Sequence, residues 1–251
     1  MNTNCPYFVQ PNWPVENVLA FNTTRLHPLK EQTVKTGFDS FNLGAHVGDN
    51  LSRVEGNRQA LKAFLPKGSQ IQWLEQVHGN NVDEVECYSQ QPLVADAAVT
   101  RNPDITLAVM TADCLPILLS CAAGKEVAAI HGGWRPLQAG IIAKTLDKMQ
   151  SPNMSLYAWL GPRIGEQAFE VGAEVRQAFV GQSTLFEAAF KPGGRGKYLG
   201  HLALIASLQL QRAGVNNIYD VNHCTYAMEH EYYSYRRDGI TGRMASLITR
   251  L

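Results

Sequence analysis

The chain has 251 residues, of which 45% are apolar and 18% are charged, and its 22 basic residues equal its 22 acidic residues in number. This length favours one large domain or two small ones, and the balanced charge argues against a general nucleic-acid binder or a protein of anionic membranes. Five scattered cysteines argue against a disulfide framework and favour an intracellular protein with reduced thiols. Because the sequence shows neither a leader-like segment nor a continuous apolar stretch, we expect a cytoplasmic protein that binds no membrane.

The first half of the chain is predicted to form one helix followed by short buried strands. Apolar residues at helical spacing predict a helix at 54–65, which the turn residues at 66–68 end. Short apolar runs bounded by turn residues predict strands at 71–77, 95–100, 105–111, 115–121 and 127–130.

Helices predominate in the second half. Apolar residues at helical spacing predict helices at 136–150, 171–180 and 202–212, with a strand at 156–160 between the first two. Pro136 is well placed near the start of the first of these helices, and Gly214 follows the last.

In the C-terminal segment, residue types alternate along the chain in a way that is typical of strands. Residues 232–237, a turn at 238–239 and residues 244–248 predict a hairpin. Strands grouped in the middle of the chain with helices between them predict a mixed α/β or α+β fold. No composition shift forces a boundary, so we expect a single domain over residues 1–251, and the dinucleotide fingerprint G-x-G-x-x-G is absent from the sequence.

Three residues with metal-binding side chains lie where predicted strands end, each beside a glycine or a carboxylate. They are His78, Cys114 and His131, and the gaps between them are too long for a zinc finger. Three ligands brought together by the fold, with a fourth position left for water, form a catalytic zinc site, in which the pKa of the bound water falls to roughly 7. A strand-end histidine can equally be a turn residue, and a cysteine in an apolar run can equally be buried and inert.

Several short motifs follow one another along most of the chain, from residue 20 to residue 248. They are FNLGAHVGDN at 41–50, QVHG at 76–79, TADCLP at 111–116, HGGWRP at 131–136, GPRIG at 161–165, FEVG at 169–172, SYRRD at 234–238 and TGR at 241–243. In this order they resemble the signatures of the YfiH, or laccase-domain, family of multicopper polyphenol oxidase-like proteins.

The resemblance implies a layered α+β fold with mixed β-sheets at the centre and helices outside. It also implies a zinc-dependent purine nucleoside phosphorylase, acting on adenosine, inosine, guanosine or methylthioadenosine, that has adenosine deaminase activity. His78, Cys114 and His131 match the family's metal ligands, with copper as a possible alternative ion. The expected partners are therefore a purine nucleoside and phosphate, with no nucleic acid.

The sequence departs from the family pattern at several positions near these motifs. Gly132 and Pro136 replace the alanine and the last glycine of the family's HAGWRG signature, and His201 stands where an aspartate is common. The glycines that usually follow the early arginine are missing after Arg25. The three ligands are intact, so these departures concern the substrate and the turn geometry.

Four residues near the motifs are predicted to bind substrate or phosphate. Arg25 and Arg135 are expected to bind the anion, because a guanidinium matches phosphate bidentately. For both, a surface ion pair is the alternative. Asn42 and His46 lie in a loop bracketed by glycines and are expected to line the pocket.

Two neighbouring residues are predicted to be catalytic. Asp113 is expected to orient a ligand histidine or to transfer protons, and its alternative is the capping of the next turn. Cys114 is expected to be catalytic as well as metal-binding. Trp134 and the tyrosines at 232, 233 and 235 either stack on a purine or pack in the core.

Other classes of protein fit the same three residues. Two histidines and a cysteine also suit the blue-copper centre of a laccase-like polyphenol oxidase, with Met110 as candidate axial ligand, although seven histidines without a His-x-His pair are too few for a trinuclear copper cluster. Without metal, Cys114 and a histidine would form a Cys–His amidase or hydrolase, which agrees with a family role in editing peptidoglycan precursors and with a fold grouped with deamidating toxins. A non-catalytic binding module is the last alternative, and the strand-end cluster argues against it.

Overall fold

Three β-sheets form the centre of the protein in a computed structural model that describes residues 6–30 and 37–251. The strands are β1 (Phe8–Val9), β2 (Val18–Thr23), β3 (Gln70–Gln72), β4 (Val82–Glu84), β5 (Ala97–Thr100), β6 (Ile105–Thr111), β7 (Leu115–Cys121), β8 (Val127–Gly132), β9 (Leu156–Leu160), β10 (Glu170–Val171), β11 (Phe190–Gly194), β12 (Lys197–Gly200), β13 (Asn217–Asp220) and β14 (Met244–Arg250). The α-helices are α1 (Leu51–Lys62), α2 (Trp134–Gln138), α3 (Ile141–Lys148), α4 (Ala173–Val180), α5 (Leu202–Arg212) and α6 (Tyr235–Asp238), with 3₁₀ turns at Asn153–Ser155 and Thr184–Ala189. None of the helices in these two described ranges has both the length and the apolar character needed to cross a membrane.

The two large sheets are mixed. One has the strand order β1-β2-β14-β6-β3, and in it β3 runs parallel to β6 whereas the other pairs are antiparallel. The other has the order β13-β9-β7-β8-β5-β4, with parallel pairs only at its two edges. The third sheet, β10-β12-β11, is small and antiparallel.

The two large sheets pack face to face, because their central strands carry apolar side chains on both faces. Leu107 of β6 and Leu118 of β7 share one buried cluster between the sheets. The neighbouring residues Ala108 and Ile117 lie on the opposite faces of the two sheets, towards the helices. Ala108 packs in a cluster with Leu61 of α1, and Ile117 packs in a cluster with α3 and α5. Each buried leucine or isoleucine contributes roughly 1.5–3 kcal/mol. The resulting order, helix, sheet, sheet, helices, confirms the predicted layered α+β fold.

Most predicted elements are confirmed, and β6, β7 and β9 have the predicted bounds. The strand predicted at 71–77 is only β3, Gln70–Gln72, and His78 lies in a loop beyond it, because hydrogen bonds to distant residues of the chain hold residues 76–79. The predicted helix at 136–150 is instead two helices, because Gly140 has φ 81°, a left-handed conformation that interrupts the helix. At the start of α5, His201 Nδ1 accepts a hydrogen bond from the Leu204 N–H at 3.2 Å. This histidine therefore caps the helix as an aspartate would.

The predicted C-terminal hairpin is wrong. Residues 235–238 form α6, whose first turn is capped by the Ser234 side chain, and β14 lies between β2 and β6. Burial at 232–237 does not alternate as it would in a half-buried strand: Tyr232 and Tyr233 are both buried in the core, and Tyr235 is exposed. The partner strand β2, which the sequence patterns did not predict, comes from the other end of the chain.

The register of β7 and β8 brings two of the predicted metal ligands together. In this antiparallel pair Leu115 lies opposite Gly132 and Pro116 lies opposite His131. Cys114 precedes the first residue of β7, so it lies beside the last residues of β8. The single domain over residues 1–251 stays a prediction.

Candidate functional site

His78, Cys114 and His131 converge on one point at the end of the six-stranded sheet. Their candidate ligand atoms all lie within 4.8 Å of one another, and Cys114 Sγ is 3.8 Å from His78 Nε2. The two imidazole rings meet edge to face with their centroids 4.6 Å apart. Ligands at 2.0–2.3 Å from a shared tetrahedral ion are about 3.3–3.8 Å from one another. The three side chains therefore fit a metal ion and could hold one.

A buried carboxylate, Asp96, positions both histidines. Asp96 Oδ1 lies 2.8 Å from His131 Nδ1, which leaves His131 Nε2 as the ring nitrogen available to a metal. The same carboxylate accepts the backbone N–H groups of Val77, His78 and Gly79 at 3.2, 3.0 and 2.7 Å. These bonds hold a loop in which His78 has φ 57°, an uncommon conformation for a residue with a side chain.

Gly133 lies so close to the cluster that a side chain would not fit without movement. A Cβ atom at this position would be 3.2 Å from Cys114 Sγ and 3.3 Å from His78 Cδ2. Both distances are shorter than an ordinary van der Waals contact. Glycine at position 133 therefore allows the ligands to approach one another.

Charge interactions within the cluster favour a thiolate. Burial by itself raises the pKa of the Cys114 thiol, but the charge of His131 and hydrogen bonds from His131 and His78 outweigh burial and lower the pKa to about 6. Burial lowers the pKa of His131, but Cys114 and Asp96 outweigh it and raise the pKa to about 9. Because the thiolate is both the metal-binding and the nucleophilic form of cysteine, the cluster is suited to either chemistry.

The cluster forms part of the wall of a cavity of about 300 Å³. This volume is at the lower end of the roughly 300–1,000 Å³ of ligand pockets. The apolar lining comes from Met110, Ala112, Trp134, Ile164, Phe169, Leu202 and Tyr235, and the polar lining beyond the cluster comes from His46, Gln76, Thr111, Asp113, Arg236 and Arg243. A cavity with aromatic, cationic and metal-binding side chains can hold a flat ring together with a charged group.

Asp113 lines the cavity, but the carboxylate that orients a ligand histidine is Asp96. Asp113 Oδ1 accepts a hydrogen bond from Thr225 Oγ1 at 2.7 Å, and its Oδ2 accepts the backbone N–H of Arg236 at 2.6 Å. The residue has φ 98°, a strained conformation immediately before Cys114. Proton transfer by Asp113 stays a prediction.

Of the other predicted site residues, His46 lines the cavity and the two arginines do not. The Arg25 guanidinium is buried, donates a hydrogen bond to a backbone carbonyl 2.9 Å away and covers the Tyr233 ring at 4.8 Å. Arg135 is exposed, and its guanidinium covers the Trp134 ring at 4.4 Å. The structure thus brings neither arginine to the cavity wall.

Asn42 is also absent from the cavity wall, and its side chain holds neighbouring backbone instead. Asn42 Oδ1 accepts the N–H groups of Gly44 and Arg243, each at 2.9 Å, while its Nδ2 donates to Asp49 Oδ2 at 2.9 Å. Since Arg243 lines the cavity, Asn42 acts on the cavity through the backbone of another residue.

Sequence reasoning missed Asp96, Gln76 and Arg243. The Gln76 amide donates to the Met110 carbonyl at 2.8 Å and accepts the Met110 N–H at 2.7 Å, which ties the His78 loop to β6. Signals for all three were present. Asp96 is the one acidic residue in an apolar run, where a carboxylate needs partners, and Gln76 and Arg243 belong to the motifs QVHG and TGR.

The fold and the site together define a class: a two-sheet α+β protein with a candidate His-Cys-His metal centre in a ligand-sized cavity. A family model described as multi-copper polyphenol oxidoreductase laccase matches residues 20–251, and the chain belongs to this family. The resemblance predicted from the motifs is thereby confirmed.

Relatives and a solved structure extend the similarity over nearly the whole chain. The chain is 44% identical over 241 residues to a Shigella flexneri protein named purine nucleoside phosphorylase YfiH, which covers 96% of this chain and 97% of that protein. It is 43% identical over 244 residues to a Haemophilus influenzae protein named purine nucleoside phosphorylase, and this match covers 96% of this chain and 98% of that protein. A crystal structure of a Neisseria meningitidis protein of the DUF152 family superposes on this chain with a TM-score of 0.91 at 40% identity. The match covers 97% of this chain and 99% of that protein. Relatives with such names support an enzyme.

Proposed function

We propose that the protein is a zinc-dependent purine nucleoside phosphorylase that also deaminates adenosine. The observation that carries the proposal is the position of two histidines and a cysteine in the wall of a cavity with aromatic and cationic lining. The names of the relatives support the phosphorylase activity. The proposed substrates are adenosine, inosine, guanosine and methylthioadenosine, with inorganic phosphate as the second substrate.

The donor set favours zinc over copper. Two imidazole nitrogens and one thiolate, with a fourth position open, are typical of catalytic zinc sites. When bound, zinc supplies Lewis acidity and lowers the pKa of a coordinated water to roughly 7. A blue-copper centre adds a weak axial thioether, whereas the sulfur of the candidate Met110 lies 3.8 Å from an Arg58 guanidinium nitrogen.

The chain's own residues supply the binding and the proton transfer of phosphorolysis. The rings of Trp134 and Tyr235 line the cavity and would stack on the purine. A phosphate oxygen bonds to the anomeric carbon while the bond from that carbon to the purine nitrogen breaks, and the purine leaves with the electron pair and takes up a proton. Asp113, held by two hydrogen bonds at the cavity wall, is proposed to carry that proton from a hydroxyl of the attacking phosphate to the purine.

Adenosine deamination would use the same cavity. Water adds to the ring carbon that bears the amino group, and ammonia leaves with one proton taken from the water. We assign this transfer to Asp113 and assign the holding of the metal to His78, Cys114 and His131. His46 is proposed to contact the substrate from the polar part of the lining.

The test is phosphate-dependent release of hypoxanthine from inosine by the zinc-loaded protein. We expect Cys114→Ser to abolish release, and the matched variant Cys87→Ser, which changes an exposed free thiol, to leave it unchanged. If the zinc-loaded wild-type protein releases no hypoxanthine, the substrate assignment is wrong.

One observation favours a second candidate function. A Cys114 thiol with a pKa of about 6 beside two imidazoles is also the arrangement of a metal-free Cys–His amidase or hydrolase, for which peptidoglycan precursors are the candidate substrates. Activity that survives chelation but is lost in Cys114→Ser supports this function. Stoichiometric copper together with polyphenol oxidation supports the laccase-like alternative.

The proposal extends to the compartment and the partners. The four cysteines in the described ranges, Cys87, Cys114, Cys121 and Cys224, are free thiols, which supports a reducing cytoplasmic location; Cys5 lies outside those ranges. We propose small molecules as the partners, with neither nucleic acid nor membrane. Cell fractionation with an antibody to the chain tests the location.

A further inference from the structure

Arg243 places a positively charged guanidinium in the cavity wall. Its Nη1 donates hydrogen bonds to the backbone carbonyls of Thr241 at 2.9 Å and Gly242 at 3.0 Å. No carboxylate in residues 6–30 and 37–251 forms an ion pair with it. Burial lowers the pKa of Arg243, although the charges of Cys114 and Asp113 act in the opposite direction. An anion bound at the guanidinium would offset the effect of burial.

His46 lies near both Arg243 and a second arginine, Arg58. The Arg58 guanidinium covers the Trp73 ring at 4.0 Å and donates to a backbone carbonyl at 2.9 Å, and only the exposed Glu55 on its own helix acts favourably on its charge. His46 lines the cavity, and burial together with the charges of Arg243 and Arg58 lowers its pKa. We call Arg58 and Arg243, together with the neutral ring of His46, the cationic group.

Thr111 adds a buried hydroxyl without a partner. It lies opposite Met244 in the β6–β14 pair and is therefore next to Arg243. Thr111 is 2% exposed and lines the cavity, and its Oγ1 has no hydrogen-bond partner in the described part of the chain. An unpaired buried hydroxyl costs free energy that a ligand oxygen could recover.

The backbone of Arg243 is fixed by its neighbours. Asn42 Oδ1 accepts its N–H at 2.9 Å, and the Leu43 N–H donates to its carbonyl at 3.1 Å. A Cβ atom at Gly44 would lie 2.8 Å from Arg243 Cγ, so the glycine leaves room for the arginine stem. Because these contacts exist before a ligand arrives, little ordering would be needed on binding.

We propose that Arg243, His46 and Thr111 form an oxyanion subsite in the cavity and that its ligand is inorganic phosphate. The inference rests on the proposed function, in which phosphate is the second substrate. A guanidinium presents paired donors that match two phosphate oxygens, and the Thr111 hydroxyl can donate to a third. Arg58 contributes charge from behind the cavity wall. The subsite replaces the sequence-based assignment of phosphate to Arg25 and Arg135.

Direct binding of inorganic phosphate to the zinc-loaded protein, measured by calorimetry without nucleoside, tests the subsite apart from turnover. Arg243→Gln is expected to weaken phosphate binding by about ten-fold or more, because it removes a charge-assisted bidentate contact. The matched variant Arg212→Gln, exposed at the end of α5, is expected to bind phosphate as the wild type does. Unchanged phosphate affinity in Arg243→Gln overturns the proposal.

Steady-state kinetics separates failure of the subsite from failure of the proposed function. With inosine, Arg243→Gln should raise the KM for phosphate by about ten-fold while the KM for inosine and the zinc content stay near wild type. Wild-type turnover with an unchanged phosphate KM in the variant overturns the subsite alone. A wild type that binds phosphate through Arg243 but has no phosphorolytic turnover supports the subsite and contradicts the proposed function.

Two further experiments test the subsite if Arg243→Gln does not unfold cooperatively and is therefore not properly folded. Thr111→Val keeps the shape of the side chain and removes the hydroxyl, and we expect a few-fold loss of phosphate affinity; no loss would remove Thr111 from the subsite. Adenosine 5′-monophosphate competes as an alternative source of the same oxyanion. If it binds and inorganic phosphate does not, the assigned ligand is wrong.

Discussion

Two groups of side chains around one cavity suit ligands of opposite charge. The cluster of His78, Cys114 and His131 offers electron-pair donors within 4.8 Å of one another and suits a cation. The cationic group around Arg243 offers guanidinium groups that form no ion pair within residues 6–30 and 37–251 and bond instead to backbone carbonyls and to the Met110 sulfur, and it suits an anion. This difference agrees with the proposed function, in which a metal ion and phosphate bind in the same cavity.

The two groups also differ in how they are anchored. One carboxylate, Asp96, holds both histidines of the cluster, through a ring nitrogen in one case and through backbone N–H groups in the other. Arg243 is anchored through its backbone by Asn42. A single substitution at Asp96 should therefore disturb two metal ligands at once, whereas the cationic group should tolerate it.

The largest expected effect is the loss of metal when one ligand of the cluster is removed. Cys114→Ser or His131→Ala leaves two good ligands, so we expect zinc affinity to fall more than about a hundred-fold, beyond the 10–100-fold typical of losing an outer partner. Zinc content after dialysis against a chelator measures it, with circular dichroism as the check on folding. Retention of stoichiometric zinc by either variant would show that the cluster is not the metal site.

The next effect is expected at Asp96. Asp96→Asn removes the charge that orients His131 and weakens the acceptor of the loop N–H groups, so we expect about a 10–100-fold loss of zinc affinity with the ligands intact. Competition with a chromophoric chelator measures the affinity, and the visible spectrum of the cobalt-substituted protein reports the geometry. Arg243→Gln is the comparison variant and should retain wild-type zinc affinity. An equal loss in both variants would contradict the separation of the two groups.

The ligand cluster and His46 were predicted from the sequence, whereas the place of Arg243 in the cavity wall was not, for a physical reason. The chain has only seven histidines and five cysteines, and the family motifs QVHG, TADCLP and HGGWRP contain three of these residues. The 13 arginines are about as numerous as the histidines and cysteines together, but packing decides where such a long side chain reaches. Arg135 belongs to the motif HGGWRP yet is exposed, whereas Arg243, in the motif TGR, reaches the cavity because Gly44 leaves room for its stem.

The fold, like the site, has elements that the local sequence pattern predicts and pairings that depend on residues far apart in the chain. Strands buried on both faces, such as β6 and β7, appear in sequence as continuous apolar runs, and their bounds were predicted. The pairing of β14 with β2 depends on residues from opposite ends of the chain, so the local pattern suggested a hairpin that the structure replaces. The role of Asp96 was hidden because its partners, at 77–79 and 131, are distant in sequence.

A third expectation compares Asp96 with another buried carboxylate, Glu126, which is not part of the cavity wall. Burial opposes its charged form, but N–H groups of Gln150 and Ser151 and the Arg101 guanidinium outweigh burial, so the pKa of Glu126 lies below its ordinary value. Ionised Glu126 therefore stabilises the fold above the unfolded-state pKa of about 4.3, and this contribution is lost as the pH falls.

Glu126→Gln should lower the free energy of unfolding at pH 7 by about 1–3 kcal/mol, because buried N–H groups lose a charged acceptor. Denaturant titrations at several pH values between neutrality and the acid transition should also show a weaker pH dependence than the wild type. Zinc affinity should be unchanged, in contrast with Asp96→Asn. A loss of zinc in Glu126→Gln would mean that general destabilisation, and not positioning, explains the effect at Asp96.

The smallest effects are expected from two glycine-to-alanine substitutions with opposite outcomes. In Gly133→Ala the new methyl group would be 3.2 Å from Cys114 Sγ, so the ligands must move slightly, and we expect a few-fold loss of zinc affinity. In Gly56→Ala the methyl group meets no atom within 4 Å on the exposed side of α1, so we expect unchanged zinc binding and a gain of about 0.5–1 kcal/mol in stability from helix propensity. Chelator competition and thermal unfolding of both variants provide the measurement. Unchanged zinc affinity in Gly133→Ala would mean that the close approach of the ligands does not depend on this glycine, and that Asp96 alone fixes the geometry of the cluster.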